Sequence, residues 1–369
     1  MGFYLITGGA GFIGRHLSNE LLRAGHRVRV LDSLVEQAHA PGSDIRLRRD
    51  VEFIEADLRD TAAVRRALKG VDGVFNLAAE VGVGQSMYEI ERYVGANDLG
   101  TAVLMQEIMT QPVKRVVVAS SMSIYGEGMY RAGDGTRVET ASRTPEDLRG
   151  GRWDPVAANG EPLSPVPTDE GKRPDLASVY ALSKYVQERL TLMLCHAYGL
   201  EAVALRLFNV FGAGQQLSNP YTGVLAIFSS RLLNDQPPAV FEDGEQRRDF
   251  VHVEDVARAF RLAMEVPGAT GEAINIGSGQ SHGISRVATL LAEAMGRPDI
   301  EPQILGRARS GDIRHCFADI LKARDLLGFE PRHRLEDSLG DLVEWVSGQQ
   351  ARDRADDAQR ELEKRGLVI

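Results

Sequence analysis

The chain has 369 residues, 43% hydrophobic and 26% charged, which suits a soluble globular protein of one large domain or two modest ones. Its net charge of −9 argues against nucleic acid or an anionic membrane as partner. No apolar run approaches the about 18 residues a membrane span needs. Cys195 and Cys316 read as free thiols of a reducing compartment, and no His/Cys cluster has metal-ligand spacing. The N-terminus has no basic leader segment, so a cytoplasmic protein without a metal is expected.

Residues 3–7 read as a buried strand, followed at once by Gly8-Gly9-Ala10-Gly11-Phe12-Ile13-Gly14 and a helix to about Arg23. Glycines at 8, 11 and 14 after a strand and opening a helix suit a tight turn. They also allow close approach to a pyrophosphate and close helix–strand packing. A second strand, 27–31, ends at Asp32, about 20 positions after the glycines. There its carboxylate can accept from the adenosine ribose hydroxyls, and it would repel a 2′-phosphate, which favours NAD over NADP.

Residues 51–58 read as a third strand with Asp57-Leu58 at its carboxyl end, and 71–79 as a fourth ending in Leu77-Ala78-Ala79. A helix is predicted over 89–110, carrying Asn97. The unbroken apolar run 115–119 suits a strand buried on both faces and ends in Ser120-Ser121-Met122-Ser123-Ile124-Tyr125-Gly126. Strands alternating with helices imply an α/β fold, a Rossmann-type doubly wound parallel sheet with ligands at its carboxyl edge. Residues 127–175 show little periodicity and read as a long insertion: a lid, a partner surface or a surface loop.

A helix to about His196 carries Tyr180 and Lys184, four apart and therefore on one face. A phenol is a poor base at neutral pH, and a nearby ammonium would favour its phenolate. Residues 203–212 read as the next strand and its exit. Beyond it come Arg248-Asp249-Phe250-Val251-His252-Val253, a helix over 254–264, a strand over 273–277, and helices near 284–295 and 319–327. The last twenty residues are highly charged without a clear apolar stripe, so a frayed or loosely docked helix is expected.

The Gly8–Gly14 loop, Ser120 to Gly126, Tyr180-x-x-x-Lys184 and Arg248 to Val253 together resemble the extended short-chain dehydrogenase/reductases. Within these they look like the NAD-dependent nucleotide-sugar epimerases and dehydratases, over roughly residues 3–345. The resemblance implies Ser121, Tyr180 and Lys184 as the catalytic set, with Lys184 also holding the nicotinamide ribose. It implies NAD contacts from Gly8, Gly11, Phe12, Ile13, Gly14, Asp32, Asp57, Leu58, Leu77, Ala78, Ala79, Asn97 and Phe208. For a nucleotide-diphosphate sugar it implies Ser123, Asn209, Tyr221, Thr222, Arg248, Arg309 and Asp312, the two arginines facing the phosphates.

Dehydratases of this family carry an Asp-Glu pair after the catalytic threonine, and Met122-Ser123 stand there instead, which favours an epimerase. Residues 78–86, 121–128 and 219–223 resemble the bacterial dTDP-L-rhamnose 4-epimerase-like branch. A UDP-sugar 4-epimerase, a nucleotide-sugar 4-reductase or dehydrogenase, uronic-acid chemistry and a cofactor-binding scaffold are the alternatives. By the same resemblance, 1–212 with about 250–280 would form the NAD-binding domain. Residues 213–249 with 281–345 would form a smaller α/β substrate domain, and 346–369 a charged tail. A homodimer is expected to pair through helices near 89–110 and 176–198.

Overall fold

The computed structural model describes residues 1–39, 47–217, 223–309, 311–349, 353 and 355–368. Seven strands form one sheet: Phe3–Thr7 (β1), Arg27–Asp32 (β2), Glu52–Glu55 (β3), Gly73–Asn76 (β4), Arg115–Ser121 (β5), Glu201–Leu207 (β6) and Ala273–Ile276 (β7). Their order is β7-β6-β5-β4-β1-β2-β3, and every pairing is parallel. The inner strands are buried along almost their whole length, as a sheet covered on both faces requires. The edge strand β3 is instead mostly exposed, and its Glu52 pairs with Arg27 and Arg29, which blunts the open edge.

Helix α1 (Phe12–Arg23) lies on one face of the sheet. Its Leu17 and Leu21 share a core with Val28, Val30 and Phe75, and each buried leucine contributes about 1.5–3 kcal/mol. The opposite face is covered by Thr61–Ala67, Gly100–Thr110 and α2 (Val179–Ala197), around Val64, Leu104, Met105, Ile108 and Cys195. Helix α3 (Val253–Glu265) packs beside α1 through Val256, Phe260 and Ala263. The order of the strands reverses between β1 and β4. The glycine loop after β1, Asp32 ending β2 and Leu77–Ala79 after β4 therefore gather around one crevice.

Several predicted elements are reshaped. The third and fourth strands end at Glu55 and Asn76, short of the predicted 58 and 79. The predicted helix 89–110 is Ile90–Tyr93, a π-helical stretch Val94–Leu99 and then Gly100–Thr110. The run 203–212 breaks at Phe208. That residue's N–H still bonds Ile276 in the sheet, whereas Asn209–Phe211 turns away to pair with Phe250–His252.

The insertion 127–175 is not structureless. Met129–Arg131 pairs antiparallel with Arg137–Val138 and with Ser164–Val166, and Pro145–Arg149 forms a helical turn behind a Thr144 capping box. These strands are two or three residues long, too short to leave a period-two signal. What fixes them is non-local. The buried Arg143 meets Glu242 at 2.6 Å, and the fully buried Arg314 meets Asp154 at 2.8 Å.

The helices Val224–Leu233, Ile284–Ala294 and Leu335–Ser347 build a second core from Phe228, Leu232, Leu291, Leu339 and Leu342. The tail also departs from expectation. Helix α4 (Ala355–Lys364) is docked, with Ala358 and Leu362 buried. Its apolar stripe is narrow, and its anchors are ionic, which is why hydrophobic periodicity did not show it.

Candidate active site

Gly8 leaves β1 at φ +67°, and a Cβ there would come within 2.8 Å of the Ala78 backbone. A Cβ on Gly14 would lie 2.5 Å from Gly9 Cα. Only glycine permits this turn and this packing, and the result is a bare backbone cradle opening α1, with Phe12 and Ile13 half-buried beside it. Asp32 closes the crevice on the next strand. Burial pushes its carboxyl up, but His39 and the N–H groups of Leu34 and Ala10 outweigh that and hold it below the usual range. A buried, ionised carboxylate at this place fits the ribose of an adenine dinucleotide.

Asp57 lies half-buried after β3 in a two-pronged pair with Arg59, and Leu58 is buried beneath it. Leu77, Ala78 and Ala79 line the exit of β4, and Phe208 is buried beyond β6. Asn97 is fully buried. Its amide donates to the Glu80 carbonyl and the Ser183 hydroxyl, and its carbonyl accepts the Glu80 N–H at 2.7 Å. It thereby ties the loop after β4 to α2.

Ser121, the last residue of β5, caps the short helical turn 122–125. Its Oγ accepts from the Ser123 N–H at 3.2 Å and the Ser123 hydroxyl at 2.9 Å. Ser178 caps α2, which presents Tyr180 toward Ser121. Burial raises the Tyr180 phenol above its ordinary pKa, and its hydrogen bond with Ser121 counters part of that rise. Lys184 is buried, and burial lowers it to about 7 against the opposing pull of Glu188. Its ammonium donates to Gln187 at 2.7 Å. The sequence assigns the tuning of Tyr180 to Lys184, and in the structure a hydrogen bond with Ser121 also acts to lower the phenol.

A cleft runs from Met122, Ser123 and Ser178 past Asn209, Phe241 and Gln246 to Arg248, Arg309 and Asp312. Asn209 Oδ1 and Gln246 Oε1 are buried along it without a hydrogen-bond partner, an arrangement that favours a ligand donor. Arg248 is steadied by the carbonyls of Arg247, Arg314 and Ile313. The Arg309 guanidinium stacks 4.5 Å from the Phe241 ring centre and pairs with Asp312 at 2.9 Å. Arg143 of the insertion donates to the Asp312 carbonyl, so the insertion braces this wall. Tyr221 and Thr222 lie outside the described residues.

Sequence reasoning missed Gln187, Phe241 and Gln246. Gln187 had a signal, since it stands three residues after Lys184 on the same helix face; it also donates to the Ala78 carbonyl at 3.1 Å. Spacing also could not show that folding brings His252, Glu254 and His333 together, their ligand atoms within 4.8 Å. Both rings are engaged elsewhere. His252 Nδ1 accepts the Glu254 N–H as the cap of α3, and His333 Nδ1 contacts Asp255.

Known proteins bear on this arrangement. A family model described as the NAD dependent epimerase/dehydratase family matches residues 4–147 and 155–277. The chain is 35% identical over 348 residues to a dTDP-L-rhamnose 4-epimerase of Burkholderia thailandensis, covering 93% of this chain and 94% of the relative. Among solved structures it resembles a UDP-glucose 4-epimerase with UDP-glucose from Thermotoga maritima (TM-score 0.76, 32% identity, 94% and 98% of the two chains). It also resembles a UDP-glucose 4-epimerase from Thermus thermophilus in complex with NAD (TM-score 0.74, 29% identity, 94% and 100%). With its glycine cradle, its Ser121–Tyr180–Lys184 set and this extent of match, the chain belongs to the NAD dependent epimerase/dehydratase family.

Proposed function

We propose that the protein is a nucleotide-sugar 4-epimerase that uses NAD and takes dTDP-L-rhamnose or a close relative. One observation carries the reading: a cleft that begins at Met122, Ser123 and Ser178, the chain neighbours of Ser121 and Tyr180, runs past the unpartnered Asn209 side-chain oxygen to Arg248 and Arg309. That cleft suits a sugar at the serine and tyrosine and a diphosphate at the arginines. The 35% identity to the Burkholderia enzyme supports the choice of sugar.

NAD bound in the crevice would accept hydride from C4 of the sugar and return it. The glycine cradle, Asp32, Asp57, Leu77 to Ala79, Phe208 and Lys184 would hold it. Tyr180 takes the C4 hydroxyl proton, and Ser121, itself hydrogen-bonded by Ser123, shares that proton's bond. The planar 4-keto sugar turns within the cleft, and Tyr180 returns the proton when the opposite face is reduced. Met122 is buried and Ser123 carries only a hydroxyl, so no carboxyl acid–base pair stands here to eliminate water. In this cycle the cofactor would end as it began, whereas a reductase would consume it.

A homodimer fits the same picture. Ile90, Val94, Leu99, Leu182 and Met193 are large apolar side chains exposed on the helical stretches 90–110 and 179–197. No helix among the described residues is long and apolar enough to cross a membrane.

The test is to incubate purified protein, without added cofactor, with dTDP-L-rhamnose, UDP-glucose and UDP-glucuronate in turn, following the sugar protons by NMR. A C4 epimer accumulating from dTDP-L-rhamnose over many turnovers supports the reading. Turnover of a UDP-sugar alone overturns the choice of sugar, and no epimerisation of any of them overturns the activity.

A further inference from the structure

The highly charged C-terminal segment lies across the cleft just described. Ala355, Ala358, Gln359, Leu362 and Leu367 line it together with Arg248, Arg309 and Asp312. The docking is specific. Arg231, on the helix Val224–Leu233, is buried, donates to the Pro237 carbonyl and meets Asp356 at 2.6 Å, with Asp353 at 3.6 Å. Arg307 pairs with Glu363 at 2.9 Å, and the Arg365 guanidinium stacks 4.2 Å from the Tyr88 ring centre.

Two of these contacts reach the working parts of the site. Leu362 packs against Gly84, where a Cβ would meet its side chain at 3.3 Å. Gly84 belongs to the short helix Val83–Ser86, whose Ser86 hydroxyl accepts the Tyr180 N–H. At the other end, Val368 forms an antiparallel bridge with Arg309, the cation stacked on Phe241. The segment thus touches both the loop beneath the proposed base and the arginine at the proposed phosphate end.

We infer that residues 355–368 are the outer wall of the nucleotide-sugar site, a strap that holds Arg309 in place and slows escape of the bound nucleotide. This rests on the functional reading above. Gln359 and Leu362 act on the ligand's surroundings, and Val368 is a positioning residue acting through Arg309. No residue of the strap takes part in the proton or hydride steps. Its loss therefore acts chiefly on binding, with a small effect on the chemical step through Gly84 and Ser86.

The experiment compares the intact protein with a chain ending at Gly348 and with Asp356→Arg, which sets like charges against Arg231. Calorimetry with dTDP and UDP measures binding without turnover, and steady-state kinetics with the accepted sugar separates kcat from KM. Circular dichroism confirms the folded state of each variant, and Gln359→Ala provides a change that leaves the Arg231–Asp356 pair in place. The expected result is about tenfold weaker nucleotide binding in the truncated chain and in Asp356→Arg, a similar rise in KM, and kcat within about twofold. Unchanged nucleotide binding in both folded variants overturns the inference while leaving the functional reading intact. A failure of the intact protein to bind either nucleotide overturns that reading and the inference with it.

Discussion

The backbone N–H of Tyr180 is donated to the Ser86 hydroxyl at 3.0 Å, and Ser86 in turn donates to the Val83 carbonyl at 2.7 Å. The first turn of α2 is thereby fixed to the loop that leaves β4, the same loop that lines the dinucleotide crevice. Asn97 repeats the connection through Glu80 and Ser183. Two parts of the chain about a hundred residues apart are locked together at the point where proton and hydride must be exchanged, so the phenol is placed by backbone bonds as well as by its helix.

Tyr180→Phe removes the hydroxyl and leaves the ring, which sits edge-on to Tyr93 at 6.5 Å between centres. The fold should persist and kcat should fall by about 10²–10⁴, the usual share of general acid–base catalysis. Ser121→Ala removes the group that lowers the phenol's pKa, so its remaining activity should shift to higher pH. Rate–pH profiles of the three proteins check this.

Glu188 and Arg206 form a buried ion pair at 2.7 Å, and Glu188 also accepts from Ser120 at 2.6 Å. Arg206 continues to the Tyr125 hydroxyl, and Tyr125 to Asn275. Glu188→Gln leaves the buried guanidinium without its counter-charge and should cost about 3–5 kcal/mol. Denaturant unfolding measures it. The same substitution removes the one carboxylate that raises Lys184, whose pKa should move below about 7.

Burial, with His333 nearby, lowers His252 to about 4 from its ordinary 6.5. Between those values the unfolded chain binds the extra proton, so this group's contribution is complete above about pH 6.5 and is lost as pH falls toward about 4. His315 is lowered to about 4 by burial and acts in the same direction. Thermal unfolding from pH 7 to 4 should show that decline. His252→Asn keeps a side-chain acceptor for the Glu254 N–H and should flatten the decline by up to about one proton, 1.36 kcal/mol per pH unit.

Leu182 and Met193 are large apolar side chains 45% and 53% exposed on α2. On the homodimer proposed above, replacing both with Asp should leave the monomer folded and halve the mass seen by light scattering. An unchanged mass would place any assembly on another face.

The sheet was legible because its inner strands are unbroken apolar runs and its first loop is built on glycines whose spacing has a steric reason. Tyr180 and Lys184 were legible as one helix face from their spacing and Ser121 as the end of an apolar strand, but only the family resemblance joined them into a set. The insertion was not legible, since its order comes from Arg143 and Arg314 meeting acids far away in sequence. The tail was not, since Ala355, Ala358 and Leu362 make a stripe too narrow to stand out among charged neighbours, and ion pairs with Arg231 and Arg307 complete its docking. Spacing gave the Tyr180–Lys184 pair but neither the burial that lowers the lysine nor the bond from Ser121 to the phenol.

The central claim is that hydride leaves C4 and returns to C4 within one site. The direct measurement uses dTDP-L-rhamnose deuterated at C4, with catalytic amounts of protein and no added cofactor. The account predicts that the epimer forms with its deuterium still at C4 and with no net reduction of the nicotinamide. Loss of the deuterium to solvent, or consumption of added NAD or NADH in proportion to product, would contradict it.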